Sequence, residues 1–137
     1  MSESSASAKI ILFGEHSVVY HRPALAVPFS ALRVFAKATP SEQFNIVAQN
    51  LNNQRFTIND TSNPLIQFVV SFCQYHHISP PTFQISINSQ IPIASGLGSG
   101  AAISTALGRV LCDVVGVTTP IEDLNNMVYE TEKRYHG

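Results

Sequence analysis

Charge is scarce in this chain: only 12% of its 137 residues are charged, and eight Lys and Arg against nine Asp and Glu leave a formal net charge of -1. That balance supplies no one-sided basic surface of the kind a phosphate backbone demands, so nucleic acid is not an expected partner. Cysteine is equally sparse. Cys73 and Cys112 form no C-x-x-C pair, and the expectation is two small buried hydrophobes in a reducing compartment. Long apolar runs are missing too. The longest weakly polar stretch, Ala101 to Val117, is broken by Arg109 and Asp113 and falls short of the roughly 20 residues a membrane helix needs. Met1 to Ala8 is rich in Ser and Ala, carries Glu3, and has neither the basic start nor the apolar segment of a secretory signal. A cytoplasmic protein with no membrane association is expected.

What the chain does have is apolar mass: 45% of its residues are hydrophobic, enough for one core at this length and too much for a disordered chain. One domain over residues 1–137 follows. The run Lys9 to Phe13 reads as a strand ended by Gly14, and Ala31 to Ala38 alternates in the period of a second. Phe44 to Ala48 and Arg55 to Ile58 read as two shorter strands flanking an Asn/Gln-rich turn. Asn63-Pro64 is a helix start, followed by Leu65, Phe68, Val69 and Phe72 at helical spacing, with the helix ending near His77. Phe83, Ile85 and Ile87 mark a fifth strand. A helix from Ser99 carries Ile103, Leu107, Val110, Leu111 and Val114 on one face, with the small residues Ala101, Ser104, Thr105, Gly108 and Cys112 opposite, a surface that another backbone or a ligand can approach closely. A last helix is expected with Pro120 at its first position and Ile121, Leu124, Val128 and Tyr135 on one stripe. The order ββββαβαα predicts a single α+β unit.

Three features could carry chemistry. The stretch IPIASGLGSGAA, Ile91 to Ala102, sets Gly96, Gly98 and Gly100 between a strand and a helix start. There, bare N–H groups and the positive end of the helix dipole can converge on an anion. It lacks the lysine of G-x-x-x-x-G-K-[ST] and fits G-x-G-x-x-G poorly, so as a pattern it also suits a structural turn with Ser95 and Ser99 as caps. Lys9, Glu15 and His16 bracket the first strand, and are equally readable as a solvated strand flank and a polar turn. Glu132 is singled out by helical geometry. With Ile121 at zero, Leu124 falls near ~300°, Val128 near ~340°, Glu132 near ~20° and Tyr135 near ~320°, so this carboxylate lies in the middle of the apolar stripe, where an ionised group needs a cation or several donors unless the helix end has already emerged into water.

The strings KIILFGEHSVVYHRPALAVPFS (Lys9 to Ser30), IPIASGLGSGAA and E-x-x-x-H-G (Glu132 to Gly137) resemble, in order and spacing, the mevalonate kinases of the GHMP family of small-molecule kinases. The resemblance covers nearly the whole chain. It implies a GHMP amino-terminal domain, of the ribosomal protein S5 domain 2-like type, with a mixed or antiparallel sheet and helices on one face. It implies ATP and Mg2+ as cofactors, mevalonate as the small-molecule substrate, Lys9 as catalytic lysine, and Gly96, Leu97, Gly98, Ser99, Gly100 and Ala101, with Ser89 as a weaker contact, at the nucleotide. Glu132 and Ser99 are the implied metal ligands, and Lys9, Glu15 and His16 the residues facing mevalonate. Many relatives carry a second serine where this chain has Gly100, so Ser99 or a water would have to substitute. Relatives also continue past H-G with a PSG-x-D segment, whose aspartate is the proposed base, and with a C-terminal domain. The resemblance therefore implies an amino-terminal portion with little activity alone, and self-association through the face on which that domain would pack. The alternatives are a non-catalytic nucleotide-binding or interaction fragment and a kinase for another small alcohol; an RNA-binding module on the same fold is disfavoured by the net charge.

Overall fold

A computed structural model describes residues 2–13, 25–91 and 99–136. Its elements are β1 (Ser2–Phe13), β2 (Leu25–Pro40), β3 (Asn45–Ala48), β4 (Gln54–Thr57), α1 (Pro64–His76), β5 (Phe83–Ser89), α2 (Ser99–Val115) and α3 (Ile121–His136), with one 3-10 turn over Gln49–Leu51. The strands form one mixed sheet in the order β1-β2-β5-β3-β4, antiparallel except where β3 runs parallel to β5. The element order is the one the periodicities predict.

Alternation along the strands decides the two faces. Val34, Ala36, Ala38, Ile46, Ile85 and Ile87 are buried beneath the helices. Their neighbours Phe35, Lys37, Thr39, Gln84, Ser86 and Asn88 line a shallow groove on the other face. The helices complete the core with Phe68, Val69 and Phe72 from α1, Leu107, Val110 and Leu111 from α2, and Leu124 and Val128 from α3. Helix α1 starts as the sequence requires: the Asn63 side chain accepts from the backbone N–H groups of Leu65 (2.9 Å) and Ile66 (3.3 Å), with Pro64 in the first turn. It ends at His77, whose φ of 56° places a non-glycine residue in the left-handed cap.

Both long strands begin earlier than the apolar pattern suggests. β1 starts at Ser2 rather than Lys9, because its first half is built of Ser and Ala that pair with β2 (Ala6 opposite Val34) and lie under α2. Small side chains let the helix sit close, and the Arg109 guanidinium donates to the Ser5 carbonyl at 2.7 Å. β2 starts at Leu25, where Pro28 is accommodated because this stretch pairs with β1 and not with β5. Two further corrections fall at α3. Pro120 precedes the helix instead of occupying its first turn, and Ile121, expected on the apolar stripe, is 71% exposed, so the buried stripe starts at Leu124. At the far end of the helix layer, His76 Nε2 lies 2.7 Å from the Thr119 hydroxyl, which also contacts Cys112 Sγ at 3.2 Å, so the lead-in to α3 is tied to both α1 and α2. Both cysteines are free thiols. Among the described residues no helix is long and apolar enough to cross a membrane.

Candidate phosphate and cation site at the start of the second helix

The site is built where β5 hands the chain to α2. Ser89 closes the strand: its hydroxyl lies 3.1 Å from the Ile91 backbone nitrogen and 3.3 Å from the Ile91 carbonyl oxygen, with Ile91 buried as an anchor. Ser89 therefore shapes the exit of the strand. Gly96, Leu97 and Gly98 lie outside the described residues, as do Glu15 and His16. Helix α2 then begins at Ser99, with Ser99, Gly100 and Ala101 in its first turn, the part of a helix whose N–H groups have no partner within it.

Glu132, on α3, meets that turn. A methyl group built on Gly100 would overlap Oε1 of Glu132 and stand 3.2 Å from its carboxyl carbon. The same seam recurs two turns on, where a methyl on Gly108 would come within 2.6 Å of Leu124 Cδ1 and 3.1 Å of Phe68 Cζ. Gly100 opposite Glu132 and Gly108 opposite Leu124 fix α2 and α3 as an antiparallel pair in close contact, with Ser104 between the two glycines on the same face. The small face of α2 thus receives α3. Ser104 is completely buried and its hydroxyl has no hydrogen-bond partner among the described residues. Thr131, also fully buried, donates its hydroxyl to the Met127 carbonyl at 3.0 Å. Glu132 Oε1 is shielded from solvent, whereas Glu130, on the outer face, pairs with Lys133 at 3.2 Å in the open.

The structure therefore brings Ser99, Gly100, Ala101 and Glu132 together at one helix terminus, with Ser89 at the strand end that feeds it. Lys9 lies inside β1, opposite Pro28 and just past an irregularity between Ser7 and Ala8, and is not a strand flank; its side chain is outside the described residues. Among the described residues, no group of three or more His, Cys, Asp and Glu side chains gathers into a metal cluster. What sequence reasoning missed is the part played by Gly100 and Ser104. Their signal was the small residue at every fourth position, Gly100, Ser104 and Gly108, which marks the close-approach seam of a helix pair.

Residues 63–137 match the GHMP kinases N terminal domain. The chain belongs to the GHMP kinase family. Its relatives include the mevalonate kinase of Pyrococcus furiosus, 30% identical over 155 residues that take in 98% of this chain and 45% of that protein. The mevalonate kinase of Methanothermobacter thermautotrophicus is 35% identical over 106 residues, covering 77% of this chain and 34% of that one. Among solved structures, the Methanococcus jannaschii mevalonate kinase superposes with a TM-score of 0.86 at 25% identity, over 99% of this chain and 47% of that one. A Lactococcus lactis galactokinase complexed with galactose, at 21% identity and TM-score 0.77 over 97% of this chain and 37% of that one, shares the fold. This GHMP domain spans less than half the length of these relatives.

Proposed function

We propose that this chain is the nucleotide-binding part of a kinase that transfers the γ-phosphoryl group of ATP to the primary hydroxyl of mevalonate. The observation that carries this reading is the Glu132 carboxylate seated against the first turn of the helix that follows the glycine-rich stretch. A helix terminus attracts phosphate. A carboxylate there is suited to a hard cation that phosphate oxygens share. The relatives' names support mevalonate as the acceptor.

In this reading the backbone N–H groups of Gly96, Leu97, Gly98, Ser99, Gly100 and Ala101 hold the phosphates, and Ser89 keeps the strand exit in register with them. Lys9 stabilises charge on the transferring group and helps lower the pKa of the acceptor hydroxyl, while Glu15 and His16 orient mevalonate. Glu132, with Ser99, would hold Mg2+. The fit is supported by the space left at Gly100, which the carboxylate fills, and by the bare Ser104 hydroxyl one turn away. Bound Mg2+ would supply charge neutralisation at the β and γ phosphates. The transfer breaks the bond between the γ phosphorus and the ADP oxygen, forms one to the acceptor oxygen, and releases the hydroxyl proton. Positioning and charge stabilisation carry most of such a reaction.

The test is ATP binding by titration calorimetry with Mg2+ present, on the native chain and on Gly98→Val. A side chain at Gly98 would block the approach of phosphate to the backbone, so binding should be lost. Unchanged affinity in the variant would refute the site.

A further inference from the structure

A second group of reactive side chains meets at the other end of the helix layer, where α1 and α2 end and the chain leads into α3. Cys112 lies in the last turn of α2, half-buried, and its carbonyl accepts from the N–H groups of Gly116 (2.9 Å) and Val117 (3.1 Å), which fixes the residue at the helix end. Its Sγ stands 3.2 Å from the Thr119 hydroxyl, and the same hydroxyl stands 2.7 Å from His76 Nε2. One hydroxyl therefore joins a thiol to an imidazole. The imidazole is itself held in place: the rings of Phe72 and Tyr75 each lie 4.7 Å from it, centroid to centroid, and the Tyr75 hydroxyl donates to Asp123 in the first turn of α3. The titratable groups around His76 are thus Tyr75 on its own helix, Cys112 on α2 and, through the Tyr75 hydroxyl, Asp123 on α3.

A hydroxyl donates and accepts at once, so the contacts form a continuous path from the Cys112 S–H through Thr119 Oγ1 to His76 Nε2 when the imidazole carries its proton on Nδ1. A nucleophile within hydrogen-bond reach of a base, with the base oriented by further groups, is the arrangement that activates a weak nucleophile. The carbonyl end of α2 disfavours a bare negative charge on this sulfur, so its proton has to be taken up close by for the sulfur to react. We propose that Cys112 is a site of thiol–disulfide exchange with low-molecular-weight disulfides, its proton passing through the Thr119 hydroxyl to His76. Cys112 gives its proton to Thr119 Oγ1 as the Thr119 hydroxyl gives its own to His76. The Cys112 sulfur then attacks one sulfur of the disulfide, forming a mixed disulfide and breaking the original S–S bond, and the departing thiolate takes the proton back from the imidazolium. Cys112 is oxidised, one thiol is released in reduced form, and no proton is gained or lost. Cys73, buried beneath its neighbours, is not the reacting thiol.

The experiment incubates the 137-residue chain, in a Cys73→Ala background, with oxidised glutathione at pH 7 and follows the mixed disulfide at Cys112 by peptide mass spectrometry. Thr119→Val keeps the shape but removes the hydroxyl, and His76→Gln keeps a hydrogen-bonding side chain but removes the base. Each should slow the reaction at least about tenfold; positioned proton transfer contributes about 100-fold or more, and a half-buried thiol can also lose its proton to water. Thr119→Ser, which restores the hydroxyl, should react at the native rate. At high pH, where any thiol ionises unaided, the slowed variants should match the native chain. A variant that merely loosened the junction would instead react faster than the native chain at every pH. Rates at pH 7 in Thr119→Val and His76→Gln equal to or above the native rate would overturn the proposal, as would a native chain that forms no adduct at Cys112.

Discussion

Replacing Gly108 with alanine sets two effects of opposite sign against each other. A glycine inside a helix costs about 1 kcal/mol relative to alanine, so propensity alone makes Gly108→Ala stabilising. The packing opposes this. The new methyl would stand 2.6 Å from Leu124 Cδ1 and 3.1 Å from Phe68 Cζ. Carbon atoms rest at about 3.5 to 4.0 Å, so α2 and α3 must part by roughly an ångström or the neighbours must leave their rotamers. Phe68 is fully buried and cannot retreat, whereas Leu124, at 9% exposure, lies at the rim and can partly swing away. Overpacking of this kind costs about 1 to 3 kcal/mol, and with the propensity gain subtracted the variant should be less stable by about 1 kcal/mol. In urea that is a fall in midpoint of about 0.5 M, for a slope of about 2 kcal/mol/M. The same displacement moves Glu132 away from Gly100, so Mg2+-dependent ATP affinity should fall in parallel. A midpoint equal to or above that of the native chain would refute the close-contact seam.

Three further outcomes are expected. Asn63→Ala removes the oxygen that accepts from the Leu65 and Ile66 N–H groups and should cost about 0.5 to 2 kcal/mol, measured by urea denaturation, with Asn63→Asp nearly neutral. Burial raises the Cys73 thiol above its ordinary value of 9.0. The unfolded chain therefore loses this proton first, and the contribution is fully present below pH 9 and drains away as pH rises through the higher folded value, so stability should fall above pH 9 more steeply in the native chain than in Cys73→Ala. Tyr75, whose hydroxyl donates to Asp123 and is likewise raised, is common to both proteins and cancels. Finally, the 137-residue chain with ATP, Mg2+ and mevalonate should turn over far below the ordinary kinase range of about 1 to 100 per second, by product assay; a rate within that range would mean that a residue of this chain, Glu15 foremost, supplies the base.

The parts of this fold legible in the sequence are those written in local chemistry. Asn63-Pro64 announces a helix start by a mechanism two residues long, and the strict alternation of Phe83, Ile85 and Ile87 survives as β5. Local pattern fails where small or polar residues do structural work on behalf of a distant partner. The Ser/Ala half of β1 looks featureless until α2 is laid over it, and His77 gives no sign of a left-handed cap that glycine would normally mark. Glu132 was found by its angle on a helical wheel, but the reason it can lie there is Gly100, 32 positions earlier, and only the pairing of α2 with α3 brings the two together. Ser104 was visible as one of several small residues; that its hydroxyl is left bare depends on every neighbour around it.

The account stands on one location for the nucleotide, and amide chemical-shift mapping of the 15N-labelled chain during titration with ATP and Mg2+ tests that location directly. The expected result is a set of shifts over residues 89–101, the backbone around Glu132 and, if Lys9 acts on the transferring group as proposed, the backbone at Lys9, with the polar sheet face around Lys37, Gln84 and Ser86 unmoved. Shifts centred on that sheet face, or none at the start of α2, would contradict it.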